Sequence, residues 1–422
     1  MRRKVRQIRR KGKTTEVRSV IAAAAPAVDT RIAMIQALIP IGLEAFKAEL
    51  ERELVSLVGE RYARTGRRRG LVRWAQQRGS IYLSDQKLPV SVPRVRDRVA
   101  NREVPLATYQ QFQRPRAFDQ GLLHKILGGL ATREYARCAE AVPEAFGVSA
   151  SSVSRRFQRA SSRQLQALLD RPLDTEEFVA LVLDGKTFAA DGMVTAVGVT
   201  ITGRKLILGF VQTATENQRA CAEFLQSLVA RGLRVEDGLL VITDGAKGLH
   251  AAVATVWGPQ AVLQRCQWHK RENVVSYLTE RHNVAIRRKL QAAYEQPTYE
   301  AAKRALGKIR QELRLLNASA VASLDEGLEQ TLTLHRLGVF AKLGIGLKTT
   351  NMLESIHARV QSRLGKVDYW KNSDQKQRWL ATALLDLEPH LRRLKNYEAL
   401  PQLRHALRAH LKSGQKSQQR SA

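Results

Sequence analysis

At 422 residues the chain can hold two to four domains, and 70 Lys and Arg against 39 Asp and Glu give it a formal charge of +31. That excess goes beyond what solubility needs and points to a polyanionic partner, nucleic acid before membrane; no charge-free apolar run reaches the ~18–20 residues of a transmembrane helix, since Asp29, Arg31 and Pro40 interrupt Ile21–Phe46. Three widely spaced cysteines, Cys138, Cys221 and Cys266, suit reduced thiols in a cytosol and not a secreted disulfide framework.

The first thirteen residues carry eight Lys or Arg and lack the apolar core of a signal peptide. Residues 1–20 are therefore expected to be a disordered basic arm that touches phosphates. Helical periodicity over Ile32–Tyr62 breaks at Thr65-Gly-Arg-Arg-Arg-Gly70, where Arg67–Arg69 form either a solvated loop or a DNA contact. Ile81, Leu83, Leu88, Val90 and Val92 alternate with polar residues and predict a small β-hairpin ending in Pro93-Arg-Val-Arg-Asp97. Thr132–Val142 and Ser149–Leu169 read as two helices joined by a Gly147-Val-Ser149 turn with an N-capping serine. The second helix opens with short polar side chains and carries Arg155, Arg156 and Arg159. Two readings fit it, a recognition helix of a helix-turn-helix or a plain helical hairpin, and the charge favours the first. Arg171-Pro-Leu-Asp174 is the expected linker.

Chemistry begins at Leu181–Phe188, where an apolar run leads into Asp184, Gly185 and Lys186. An Ala190-Asp191-Gly192 turn, Met193–Ile201, a Thr202–Lys205 turn and Leu206–Thr213 follow, predicting three consecutive antiparallel strands. A carboxylate inside a core strand must be paired or metal-bound. A second apolar strand, Gly238–Thr243, ends at Asp244-Gly245, with Lys247 just beyond. The intervening Asn217–Gly232 carries Cys221, Phe224, Leu225, Leu228 and Val229 at helical spacing. A strand–helix–strand crossover can bring the second strand beside the first, and Asp184 beside Asp244. Two neighbouring carboxylates call for a divalent cation, Mg²⁺ or Mn²⁺ by hard-oxygen preference. Lys186 and Lys247 either steer phosphates or are simply solvated.

Ala246–Val256 reads as a helix and Ala261–Arg265 as a short strand that runs into Cys266-x-x-His269. That pair is half a zinc site at most, with no second pair of suitable spacing; positioning at a strand-to-helix junction is the better reading. Arg287–Glu295, Tyr299–Leu316 and Val321–His335 read as amphipathic helices. A further helix starts at Thr350-Asn351 and carries Glu354 one turn before His357; spacing alone leaves that Glu ambiguous between exposed and catalytic. Lys270, Arg271, Arg359 and Arg363 are further candidate DNA contacts, and Trp257 or Trp268 could stack on an unpaired base. The chain after His410 is expected to be a disordered tail.

Pro93-Arg-Val-Arg-Asp97, the Asp184 and Asp244 strands, Cys266-x-x-His269 with Arg271 and Asn273, and Thr350-Asn351-x-x-Glu354-Ser355 together resemble bacterial insertion-sequence transposases of the Mutator-like family, in the family's order. The resemblance implies an α/β fold, with a ribonuclease-H-like mixed-sheet catalytic domain as in retroviral integrases. It implies three metal-binding catalytic acids, Asp184, Asp244 and Glu354, whose separations (244 − 184 = 60 and 354 − 244 = 110) leave room for a helical insertion after the second. One departure stands out: relatives commonly carry Asn at the position of His357. The organisation expected is a basic arm at 1–20, a helical and β-hairpin region at 21–115, and a helix-turn-helix domain at 116–172. The catalytic domain then spans 173–275 and 347–395, around an all-helical insertion at 276–346, with a basic tail at 396–422.

The resemblance further implies two Mg²⁺ (or Mn²⁺) ions clamping an in-line displacement, with cleavage and strand transfer at terminal inverted repeats. The partners implied are double-stranded DNA, both repeats and target, bound by a homodimer or larger assembly in a bacterial cytoplasm at the nucleoid, with no membrane. Three rivals remain: a DNA-binding regulator derived from a transposase, a nuclease of the same fold without joining activity, and a structural chromatin-like protein, which would explain the charge but not the two matching strand-Asp-Gly segments.

Overall fold

The structure is a computed structural model that describes residues 28–61, 70–83, 86–113, 126–127, 150–213, 217–365, 367 and 369–421. Among them, those up to 113, with 150–154, belong to one compact body, and 126–127 with 155–421 to another. The basic arm, Arg67–Arg69, Cys138 and the helix expected at Thr132–Val142 lie outside the described residues.

In the first body, helix α1 (Val28–Val58) precedes β1 (Leu71–Leu83), β2 (Gln86–Asp97), β3 (Arg102–Val104) and α2 (Ala107–Phe112). Phe46, Leu50, Leu54 and Val58 recur every fourth residue and line one face of α1. They pack on Ile81, Val90, Val92 and Val95, which alternate or nearly so along the strands. The expected hairpin is therefore present, and β3 extends it to three strands. Glu53 on α1 accepts hydrogen bonds from the first amides of α2, Ala107 N at 2.6 Å and Thr108 N at 3.0 Å, groups no intrahelical partner can satisfy.

The second body is built on a five-stranded sheet of order β6-β5-β4-β7-β8. Its strands are β4 (Phe178–Phe188), β5 (Asp191–Thr200), β6 (Lys205–Gln212), β7 (Leu239–Thr243) and β8 (Ala261–Arg265). β4, β5 and β6 form the antiparallel meander read from the sequence. Helix α4 (Gln218–Ala230), capped by the Asn217 side chain, then carries the chain to β7, which pairs parallel to β4. Helix α5 (Lys247–Trp257) connects β7 to β8, again parallel. Leu181, Leu183, Leu239 and Val241 face α4 and α5 through Cys221, Phe224, Leu225 and Val253.

Ala180, Val182, Leu240 and Ile242 face the other way. They meet a helical layer of α12 (Phe340–Leu347), α13 (Asn351–Leu364), α14 (Ser373–Leu387) and α15 (Leu400–Ser421). Helix α3 (Ala150–Leu169) joins this layer through Phe157, whose ring meets Trp379 at 4.4 Å between centroids, and through Ser161, which accepts from Arg378 at 3.0 Å. Between β8 and α12 lie α6 (Gln267–Val275), α7 (Glu280–Tyr294), α8 (Tyr299–Leu316), α9 (Ala318–Asp325), α10 (Leu328–Thr331) and α11 (Thr333–Arg336). Ile286, Leu290, Leu306, Ile309 and Leu313 give these helices a core of their own.

Three local expectations need correction. The β4–β5 turn is Ala189-Ala190, both at positive φ (49° and 70°), with Phe188 opposite Asp191; it is not centred on Asp191-Gly192. Asp191 is held in the strand by Lys376 and Gln212, each 2.7 Å from Oδ2, and these contacts override the local turn preference of Asp-Gly. Val321–His335 is not one helix, because Gly327 adopts φ 70° where Glu326 receives Arg265 and Lys270. The stretch after His410 is the end of α15, anchored earlier by Leu400, Leu403 and Leu407 in the core. Among the described residues no helix is long and apolar enough to cross a membrane, and Cys221 and Cys266 are buried and form no disulfide.

Candidate active site

The position of the two aspartates follows from strand register. Ala180 pairs with Leu240 and Val182 with Ile242, an offset of 60 (240 − 180) that carried four residues further sets Asp184 against Asp244. Period-two alternation puts Asp184 on the face of Ala180 and Val182, beneath α13. It is 5 % exposed, a carboxylate largely out of water. Asp244 sits one residue past β7, where its Oδ1 accepts the Ala246 amide at 3.0 Å. Gly245 turns the chain at φ 103°, and a Cβ there would strike the Arg265 guanidinium. Glycine alone meets both demands.

Glu354 comes from the first turn of α13. It lines one cleft of about 610 Å³ with Asp184, Asp244, Lys186, Trp268, His269 and His357. A clamp from the Cys266-x-x-His269 segment fixes the start of its helix. Gln267 N donates to Lys348 O at 3.0 Å, and Thr350 N to Cys266 Sγ at 3.5 Å. Thr350 Oγ1 stands 3.4 Å from His269 Nδ1 and 3.3 Å from Glu354 Oε1. From the β8–α6 junction the pair thus touches the residues that lead into α13.

His269 Nε2 is 3.9 Å from Glu354 Oε1. Its hydrogen bond to Cys266 and the charges of Asp184 and Asp244 push its pKa up to about 9 against the opposing effect of burial. His357 behaves in the opposite way: burial first, then Lys186, push it down to about 4.

Among the described residues no three His, Cys, Asp or Glu side chains converge on one point as a metal cage. The donor set nevertheless suits a divalent ion: three carboxylates on one cleft, one of them deeply buried beside an imidazole nitrogen without a hydrogen-bond partner, His357 Nδ1.

The basic candidates divide. Arg155 and Arg159 on α3, Lys186 and Lys247 are exposed, and Arg156 and Arg359 are half-buried. Arg363 is paired with Asp386 at 2.9 Å, and Arg271 is held by Glu272 at 2.9 Å and Gln291 at 3.0 Å. Lys270 must be withdrawn as a DNA contact. It is fully buried, and its ammonium donates to Ser323 O at 2.6 Å and pairs with Glu326 at 3.3 Å. Its position on the inner face of α6 decides this, which a run of Lys-Arg in sequence does not reveal. Trp257 is likewise core, whereas Trp268 is 41 % exposed and lines the cleft.

Burial and the Arg265 charge lower the Lys270 pKa from 10.5 to about 8. From pH 8 to 10.5 the unfolded chain binds a proton that the folded chain has released, so stability from this group rises with pH across that window, by up to about 3 kcal/mol. Urea unfolding of the Lys270→Met variant is expected to lack that rise; parallel pH profiles for variant and parent would refute it.

The family described as "Transposase, Mutator family" matches residues 16–393. The transposase for insertion sequence element ISRM5 of Rhizobium meliloti (strain 1021) is 28 % identical over 342 residues, 78 % of this chain and 81 % of that protein. The transposase for IS256 in transposon Tn4001 of Staphylococcus aureus is 24 % identical over 315 residues, 71 % of this chain and 77 % of that one. The transposase for IS406 of Burkholderia multivorans (strain ATCC 17616 / 249) is 26 % identical over 353 residues, 81 % and 87 % of the two chains. With the match covering most of its length, the chain belongs to the Mutator family of transposases.

Proposed function

We propose that this protein is a DDE transposase that binds the terminal inverted repeats of its own element and catalyses Mg²⁺-dependent strand cleavage and strand transfer. The observation that carries the reading is the convergence of Asp184, Asp244 and Glu354, far apart in sequence, on one cleft. The sheet order, with an antiparallel meander followed by two parallel strands, supports a ribonuclease-H-like catalytic domain, into which residues 276–346 are inserted. Asp184, Asp244 and Glu354 would hold two Mg²⁺ or Mn²⁺ ions, which when bound activate the attacking oxygen and stabilise the leaving one.

The chain's own residues shape the rest. Register fixes Asp184 against Asp244, and the Cys266, His269 and Thr350 clamp sets where Glu354 enters. Exposed Lys186 and Lys247 beside the acids attract the scissile phosphate, and Trp268 offers an aromatic face to a base freed near the cut end. Arg155, Arg156 and Arg159 are the proposed contacts to the repeat, with α3 as the recognition helix of a helix-turn-helix domain at 116–172; Arg359 is a further contact. A bacterial cytoplasm at the nucleoid and a homodimer or larger assembly on two synapsed ends complete the reading.

The test is incubation of the full chain and Mg²⁺ with linear duplexes that carry its element's ends and a supercoiled target. Nicks at the element termini followed by covalent joining to the target are expected. Nicks without joining would leave a nuclease, and binding without nicks a regulator; either defeats the proposal.

A further inference from the structure

We propose that His357 is a nitrogen ligand to the divalent ion held by Asp184, giving this site a mixed nitrogen and oxygen donor set. The inference rests on the metal-dependent reading of the cleft and goes beyond the three acids. His357 follows Glu354 by one turn of α13 and lines the same cleft. Its Nδ1 lies 3.8 Å from Asp184 Oδ2. Octahedral ligands at ~2.1 Å stand about 3 Å apart at adjacent corners and about 4.2 Å at opposite ones, so both atoms can reach one ion with little movement.

The hydrogen bonding of the ring supports the same role. His357 is 8 % exposed, and its Nδ1 is buried with no hydrogen-bond partner among the described residues. An unsatisfied polar atom is costly to bury, and a ring that merely filled space would not need it there. The other nitrogen, Nε2, stands 3.2 Å from Thr195 Oγ1. Thr195 is the β5 residue directly opposite Asp184, so one strand pair presents both the carboxylate and the tether. A proton on Nε2, donated to Thr195, leaves the Nδ1 lone pair on the Asp184 side. Metal-binding histidines are commonly fixed in this way, with the far nitrogen donating to an oxygen.

Imidazole suits later and softer first-row ions than carboxylate does, so His357 shifts the preference of this cleft from Mg²⁺ towards Mn²⁺. The experiment is electron spin echo spectroscopy of Mn²⁺ bound to the full chain labelled with ¹⁵N-histidine. Nitrogen coupling is expected in the parent and in His269→Asn, the other imidazole on the cleft. It should vanish in His357→Asn, with Mn²⁺ affinity falling at least as far as the roughly 10–100-fold that loss of a ligand's hydrogen-bond partner costs and Mg²⁺ affinity changing less. Thr195→Val, which spares the ring but removes its tether, should weaken the coupling. Mn²⁺ bound to the parent without nitrogen coupling, or coupling that survives in His357→Asn, overturns this proposal and leaves the acids standing. Failure of the parent to bind Mn²⁺ at all overturns the metal-dependent reading with it.

Discussion

Asp184→Asn is expected to lower cleavage at the element ends by about 10³-fold or more, the scale of removing a preorganised charge from an active site, while duplex binding stays within a few-fold of the parent. Asn has the same shape as Asp, so the packing beneath α13 survives, and only the charge that would hold a cation is lost. The carboxylate is 5 % exposed and lies on the cleft floor, so no water-exposed group can replace it. Asp244→Asn and Glu354→Gln should behave alike. Because the three acids would act as one unit, a double variant should be hardly worse than either single one. Cleavage gels and a binding titration on the same preparations check this. Parent-like cutting by Asp184→Asn would remove the catalytic assignment.

Arg404→Met is expected to cost about 3–5 kcal/mol of stability, since it removes two hydrogen bonds from a charged donor to backbone carbonyls at about 1.5–3 kcal/mol each. Arg404 on α15 is 7 % exposed. Its guanidinium donates to Phe178 O and Gly238 O and pairs with Glu177. Phe178 opens β4 and Gly238 directly precedes β7, the two strands that lead to Asp184 and Asp244. Methionine fills similar volume but leaves two buried carbonyls without donors. Urea unfolding of the two proteins measures the loss, and Arg404→Lys should fall between them, since an ammonium cannot span all three acceptors in a planar fork. A loss below about 1 kcal/mol would show that the clamp is dispensable.

The parts of this molecule legible in sequence are those governed by local period and short-range register. Alternation gave β4 to β6, helical spacing gave α4, and the crossover rule set Asp184 beside Asp244. What escaped depends on partners distant in sequence. Asp191 looks like a turn residue until Lys376 holds it, and Lys270 looks like a DNA contact until Ser323 and Glu326 enclose it. The polar composition after His410 concealed a helix whose anchors, Leu403 and Leu407, lie one and two turns earlier. Glu354 is the instructive case: spacing could not tell it from any exposed helical Glu, and only the family resemblance singled it out. The signal for Trp268 over Trp257 was the helical phase around each ring, which could have marked Trp257 as core.

The contacts of Gln264 bear on how this architecture could be altered. Fully buried in β8, its amide donates to Thr331 O at 2.9 Å and accepts from Leu334 N at 3.0 Å, while Gln267 reaches the same Thr331 carbonyl at 2.8 Å. The helical segment between the second and third acids is therefore stitched to the sheet edge at its own centre, not hung from two flexible ends. Excising it as a cassette would strand these amides in an apolar interior, so shortened versions of this enzyme have to be sought by trimming the outer helices α7 and α8, leaving the seam at residues 264–267 and 326–334 intact.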